Sequence, residues 1–229
     1  MPNIYTSTGD GYAHSNPQGS WVNSRSNSGS GVDNNNTRDS FAVGVEHITA
    51  KAGGLQSTIR RGFMFFDTSG ISVAPSEATL TIRGYSTNSS DIIIVKSTAS
   101  DPTVSGGYND LSGASTALGN TDGSGAGTLA GVSGLTYSSE VATWSVSSTR
   151  NEIDLNSTAL SDMASLDTLK ICIMDYDYDY LDIEPSVGTF VRIGFYWADA
   201  GGTGNDPYID YTAGVAAVAD NSTFFGCNF

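Results

Sequence analysis

The sequence predicts an all-β protein: a two-sheet antiparallel jelly-roll sandwich with one short helix and a polar N-terminal arm. Three observations carry this reading. About nine short apolar or alternating runs are separated by turn-forming residues. Gly is abundant, at 27 of 229 residues, Ser, Thr and Asn are enriched, and Lys is scarce, which suits strands and turns rather than helices. The connections are long, favouring a jelly roll over a meander, and the absence of a fixed repeat argues against a solenoid or propeller.

Residues 1–40 are almost wholly polar, as in "SRSNSGSGVDNNNTRDS". Only Ile4, Tyr12, Trp21 and Val22 offer anchors, so this segment reads as an arm with at most one strand near Trp21. Strands then follow at "FAVGVEHI" (41–48), "TIRRGFMFFD" (58–67), "ATLTIRGYS" (78–86) and "DIIIVKS" (91–97). Residues 105–139, rich in Gly, Ser and Thr, read as a long loop. Further strands are expected at "VATWSVS" (141–147), "NEIDL" (151–155), "TLKICIMDYDYDYL" (168–181), "GTFVRIGFYW" (188–197) and "PYIDYT" (207–212). A helix is expected over 157–166, with Ser157 or Thr158 as N-cap and Leu160, Met163 and Leu166 at helical spacing. Phe63, Phe65, Ile82, Ile93, Ile171, Ile173, Ile193 and Phe195 are the expected core. The domain then spans 41–212, with 213–229 as an extension.

That extension, "AGVAAVADNSTFFGCNF", is less polar than a free tail in water. It either folds back as an edge strand or pairs with a neighbouring subunit. Assembly by strand addition would use Ile4 and Tyr12 of the arm, or Val215, Val218, Phe224, Phe225 and Phe229 of the extension.

With 24 acidic against 10 basic residues the net charge is -14. Nucleic acid is thereby disfavoured as a partner, because its phosphates demand Lys and Arg; anionic membrane surfaces are disfavoured likewise. The first 21 residues have neither a basic nor an apolar signal-peptide region, and no apolar run approaches the roughly 20 residues needed to span a bilayer. Synthesis in the cytoplasm without a leader, and no membrane insertion, are the expectations. Cys172 lies in an apolar strand and reads as a buried free thiol, with a Cys172–Cys227 bridge the minority alternative. Two distant Cys with His14 and His47 make a poor zinc set.

"RRGFMFFDTSGISVAPSEATLTIRGYS", "NEIDLNSTALSDMASLDTLKICI" and "GTGNDPYIDYT" occur in that order. Together they resemble the DNRLRE-type domains, which are similar to jelly-roll carbohydrate-binding modules. The resemblance covers roughly residues 58–212, leaves 105–139 unaligned and rests on order and spacing rather than on a catalytic residue. It implies a jelly roll acting at a cell surface, in a virion or in an extracellular fibre; fold alone does not fix function.

The oddest stretch is "DYDYDYLDIEP" (175–185). On an extended strand Asp175, Asp177 and Asp179 share one face and Tyr176, Tyr178 and Tyr180 the other. The simplest reading sets the tyrosines inward and the aspartates in solvent. Calcium is the alternative. Same-face carboxylates stand about 6.5 Å apart along a strand, so two neighbours, Asp175 and Asp177, could share an ion and three could not. The stretch is not an EF-hand loop, since Tyr180 and Ser186 fall where Gly and Glu belong. A solvated acidic face outweighs a structural calcium, and no other cofactor is indicated.

For catalysis, acids are plentiful enough that glycosidase-like pairs arise by chance. There is no nucleophile elbow for His14 or His47, and "GGTGNDP" lacks the Lys of a phosphate-binding loop. An enzyme is not expected. For glycan binding, Tyr176, Tyr178, Tyr180, Trp197 and Tyr208 are the candidates, against the bland reading that a sandwich core needs aromatics. The expected function is a non-enzymatic, self-assembling structural subunit of a virion surface or extracellular fibre, its partners copies of itself or a larger particle. A carbohydrate-binding module or adhesin recognising surface glycans is the alternative.

Overall fold

Runs rich in β-branched and aromatic residues form twelve strands and two short α-helices among the described residues. The computed structural model describes residues 2–7, 9–15, 17–26, 31–33, 38–99, 108, 129–146, 149–198 and 202–216, with 31–33 by backbone alone. The strands are β1 Asn3–Tyr5, β2 Gly11–His14, β3 Gly31–Asp33, β4 Val43–Thr49, β5 Leu55–Asp67, β6 Glu77–Ile82, β7 Gly84–Asn88, β8 Ile92–Lys96, β9 Asn151–Asp154, β10 Thr168–Asp175, β11 Thr189–Phe195 and β12 Tyr208–Thr212. Helix α1 is Trp21–Ser26 and α2 is Ser157–Ser165.

Two antiparallel sheets result. The smaller has the order β1-β12-β6-β9. The larger runs β3-β2-β5-β4-β11-β7 and branches at β5, which also pairs with β10, itself paired with β8. Residues 55–60 of β5 pair with β4 and residues 62–67 with β10. Gly44, in β4, sits at φ 142°, and a Cβ there would meet the Val191 carbonyl oxygen at 2.2 Å, so this central crossing requires glycine.

Both faces of the larger sheet are buried. On one side Met64, Phe66, Ile171, Ile173 and Phe195 meet Leu80, Ile82, Ile153 and Ile209 of the smaller sheet, with Met163 of α2. On the other, Ile59, Phe63, Ile93, Val95, Cys172 and Met174 are covered by Trp21 of α1, Tyr108, Leu129, Leu135 and Tyr180. This second layer explains why β8 and β10 are apolar on both faces.

The N-terminal residues are not a free arm. β1 extends the smaller sheet beside β12, β2 extends the larger beside β5, and Trp21 is buried. The expected strand over 78–86 is split: Arg83 separates β6 in one sheet from β7 in the other. Over the described part of the expected strand 141–147, residues 141–146, no strand forms. Val141 bonds Ile92 of β8, while Ser145 is tied to the Asn151 side chain at the start of β9, so the chain crosses between the sheets instead of joining one. Part of the expected loop, residues 129–139, packs on the core. Helix α2 is capped by Asn156, whose side chain accepts the Thr158 and Ala159 N–H groups at 3.0 and 3.1 Å, not by Ser157 or Thr158.

Seven of the eight expected core residues are buried; Phe65 is only half-buried, with the Lys170 ammonium 5.5 Å from its ring. Phe66 is wholly buried instead. Phe66→Ala is expected to cost about 3–5 kcal/mol in urea unfolding, and Phe65→Ala less than half as much. The reverse ranking would contradict this assignment of faces.

Candidate functional site

β10 ends at Asp175, and Tyr176–Tyr180 form a single π-helical turn. The Leu181 N–H reaches the Tyr176 carbonyl at 3.1 Å, and the Ile183 N–H reaches that of Tyr178 at 3.1 Å. The expected outward row of three aspartates therefore does not exist. Winding the chain sends Asp177 to solvent and buries Asp175 and Asp179.

Asp179 is drawn in by two arginines. Arg61 of β5 donates Nε and Nη2 to its two carboxylate oxygens, each at 2.7 Å, the bidentate geometry that makes such pairs strong. Arg61 Nη1 donates to the Tyr108 carbonyl at 2.9 Å, and the guanidinium lies 4.1 Å from the Tyr108 ring centroid. Arg25 of α1 donates Nε and Nη2 to the Asp179 main-chain carbonyl at 3.1 and 2.7 Å, and its Nη1 lies 2.7 Å from Asp182. Burial pulls the Arg61 pKa down, and neighbouring Asp179 and Tyr108 more than reverse this, so Arg61 stays charged. Burial pushes the nearby Cys172 thiol up, leaving it protonated. Cys227 lies outside the described residues.

Asp175 is spent locally. Its Oδ1 accepts the Tyr178 N–H at 2.8 Å and its Oδ2 accepts the Ser90 hydroxyl at 2.7 Å. Burial raises its carboxyl to about 7 despite these bonds, and Asp179 and Asp177 add to the rise. Asp175 points inward and Asp177 outward, so the expected two-carboxylate calcium site is not assembled. Among the described residues no three His, Cys, Asp or Glu side chains are grouped to hold an ion.

Four of the five glycan candidates pack. Tyr176 and Tyr178 are half-buried against the second cluster. Tyr180 and Trp197 are buried, and Tyr180 stacks on Tyr176 at 5.5 Å. Only Tyr208 stands on the open face of the smaller sheet. There it pairs across strands with Tyr5, ring centroids 5.6 Å apart, and the Arg150 guanidinium lies 5.0 Å from its ring. Tyr5 is 40% exposed. The next register row holds Asn3, Asp210, Thr79 and Asp154.

Of the assembly candidates, Ile4 packs against the core and Tyr12 is buried within it, so both are used inside the chain. Val215 is 90% exposed; Val218, Phe224, Phe225 and Phe229 lie outside the described residues.

His47 is buried directly across from Ser57, its Nε2 4.0 Å from Glu184. Nucleophilic catalysis would need a Ser–His hydrogen bond. Ser57 Oγ and His47 Nδ1 form no such bond, and both residues lie in the interior. His14 turns Nδ1 toward the Ser15 carbonyl, 3.1 Å away. A cleft of about 310 Å³ runs between residues 138–143 and β9, and one of about 400 Å³ lies between Ser76–Thr79 and Leu160 of α2. No helix among the described residues is long and apolar enough to cross a membrane.

Arg61 was detectable in sequence: it shares a strand face with Ile59 and Phe63, and a charge there demands a buried partner. Arg25 and Tyr5 carry no such signal, lying in a polar stretch. No protein family and no curated protein sequence matches the chain.

Proposed function

We propose that the protein is a non-enzymatic structural subunit that assembles with copies of itself through the β1 edge of its smaller sheet. One observation carries this. The Thr6 N–H bonds the Pro207 carbonyl, which sets the alternation of the β1–β12 ladder and turns the N–H and C=O groups of Asn3 and Tyr5 away from β12. The end of β5 meets that side at Thr6, which bridges Phe66, and the Ser7 N–H bonds the Phe65 carbonyl at 2.9 Å; beyond it, at Asn3, no strand pairs on that side among the described residues, and an unpaired edge is a template for another chain. The resemblance to DNRLRE-type domains leans the same way, toward a virion surface or an extracellular fibre.

Asn3→Pro tests the edge, because its N–H is not used inside the sheet and an edge strand tolerates proline there. The expected result is a native circular dichroism spectrum with loss of the multimers that the unaltered protein shows by light scattering. Unchanged particle size in the variant, or a monomeric unaltered protein at every concentration, sinks the proposal.

A second reading, glycan binding, is favoured by the Tyr5–Tyr208 pair on the open face, with Asn3 and Asp210 in the next row. Aromatic rings and nearby hydrogen-bonding groups are what sugar stacking and hydroxyl recognition require. Tyr5→Ala would abolish retention on a glycan array without altering particle size.

A further inference from the structure

The opposite edge of the smaller sheet differs from β1 in having a wall in front of it. The Leu155 N–H bonds the Ala78 carbonyl at 2.9 Å. Counting back along the ladder, Ile153 and Asn151 face β6, so the N–H and C=O groups of Glu152 and Asp154 point to the free side. That side is the 310 Å³ cleft, and its far bank is residues 138–143. The bank is pinned at three places. Val141 exchanges two backbone hydrogen bonds with Ile92, Asn151 holds Ser145 by its side chain, and the Asn156 N–H and side chain bond the Tyr137 and Thr136 carbonyls. The bank thus stands beside β9 without pairing to it.

The cleft is also strongly one-signed. Glu140 lines one bank and Glu152 and Asp154 the other, and no Lys or Arg lines either. Glu140 is exposed, and its carboxyl is raised above the ordinary range by some desolvation first and then by the nearby Asp91 and Asp177 carboxylates. An added strand must satisfy the outward backbone groups and carry positive charge.

We propose that this cleft binds a short extended peptide segment with Lys or Arg at alternate positions, supplied by a different protein, which adds to β9 as an antiparallel or parallel strand. A strand's alternate side chains fall on one face, so basic residues two apart can meet Glu152 and Asp154 while the backbone pairs with the edge. A second copy's β1 or β9 edge is a poor occupant, since neither strand carries Lys or Arg and acidic side chains of β9 facing their counterparts across a strand pair repel. This site is separate from the β1 edge and does not depend on it.

The test uses the full chain bearing Asn3→Pro, so that failure of self-assembly does not enter. Two synthetic seven-residue probes are titrated by calorimetry and amide NMR: Thr-Lys-Val-Lys-Val-Lys-Thr and its counterpart with Glu for each Lys. The lysine probe is expected to bind, to shift the Glu152 and Asp154 amides, and to weaken at least tenfold from 50 mM to 500 mM salt. Glu152→Pro, which removes one outward N–H, should abolish that binding and leave the fold intact. The double variant Glu140→Gln/Asp154→Asn should weaken binding at least fivefold while preserving the amide shifts. Absence of binding by the lysine probe, equal binding of the glutamate probe, or retention of full affinity in Glu152→Pro would each overturn the proposal. Lysine-probe shifts confined to residues away from the cleft would also overturn it.

Discussion

Asp179→Asn should lower the unfolding free energy by about 3–5 kcal/mol, or prevent accumulation of folded protein altogether. Asp179 is fully buried between two fully buried arginines. Asn keeps the shape but removes the charge, and with it the two charge-assisted bonds from Arg61 to the Asp179 carboxylate. Removing one partner of a buried ion pair costs more than the pair contributed, because the other charge stays desolvated. Arg25 keeps Asp182 and the main-chain carbonyl of residue 179, so the damage centres on Arg61. The check is urea unfolding of Asp179→Asn, Arg61→Met and the double variant. The double variant should lose less than the sum of the singles, because it removes both charges together. Additive losses would mean that the pair is not coupled and that the turn is held by its backbone alone. High salt should alter the single-variant loss little, since the pair is shielded from ions.

This cluster shows where sequence reading stopped. Strand positions from 41 onward were largely legible, because alternation and β-branched runs report on faces that pack. The division into two sheets at Arg83 was not, since nothing local distinguishes a strand that continues from one that changes sheet. The N-terminal 40 residues misled for another reason. Their strands are only three or four residues long, too short to show a period, and they are held by pairing, β1 to β12, β2 to β5 and β3 to β2, rather than by their own apolar content. The acidic stretch misled because strict alternation from Asp175 to Tyr180 imitates a strand. What overrides it is tertiary: two arginines far away in sequence, one in an apolar strand and one in a polar helix, offer a buried carboxylate a stable place. A π-helical turn is the local distortion that delivers it, and such turns often mark constrained sites.

Asp175, four residues before Asp179, should respond in the opposite way. Its carboxyl is raised to about 7 in the folded protein from an ordinary 3.8, chiefly by burial. A raised carboxyl means that the folded state prefers the protonated form. The stability linked to this group is therefore fully present below about pH 4 and is lost as pH rises through 7, by on the order of 4 kcal/mol in total. Asn at this position supplies the same contacts without charge: its carbonyl oxygen can accept the Tyr178 N–H while its amide donates to Ser90 Oγ. Asp175→Asn is expected to be more stable than the unaltered protein at pH 8 and by a clearly smaller margin at pH 5, with a flatter dependence between. Unfolding midpoints measured from pH 5 to 8 test this, a range that avoids protonating ordinary carboxylates such as those of the ion network. A variant less stable at pH 8 would show that Asp175 works as an ionised group. Stabilisation of the unaltered protein by millimolar calcium, absent in Asp175→Asn, would then identify a cation as what holds it charged.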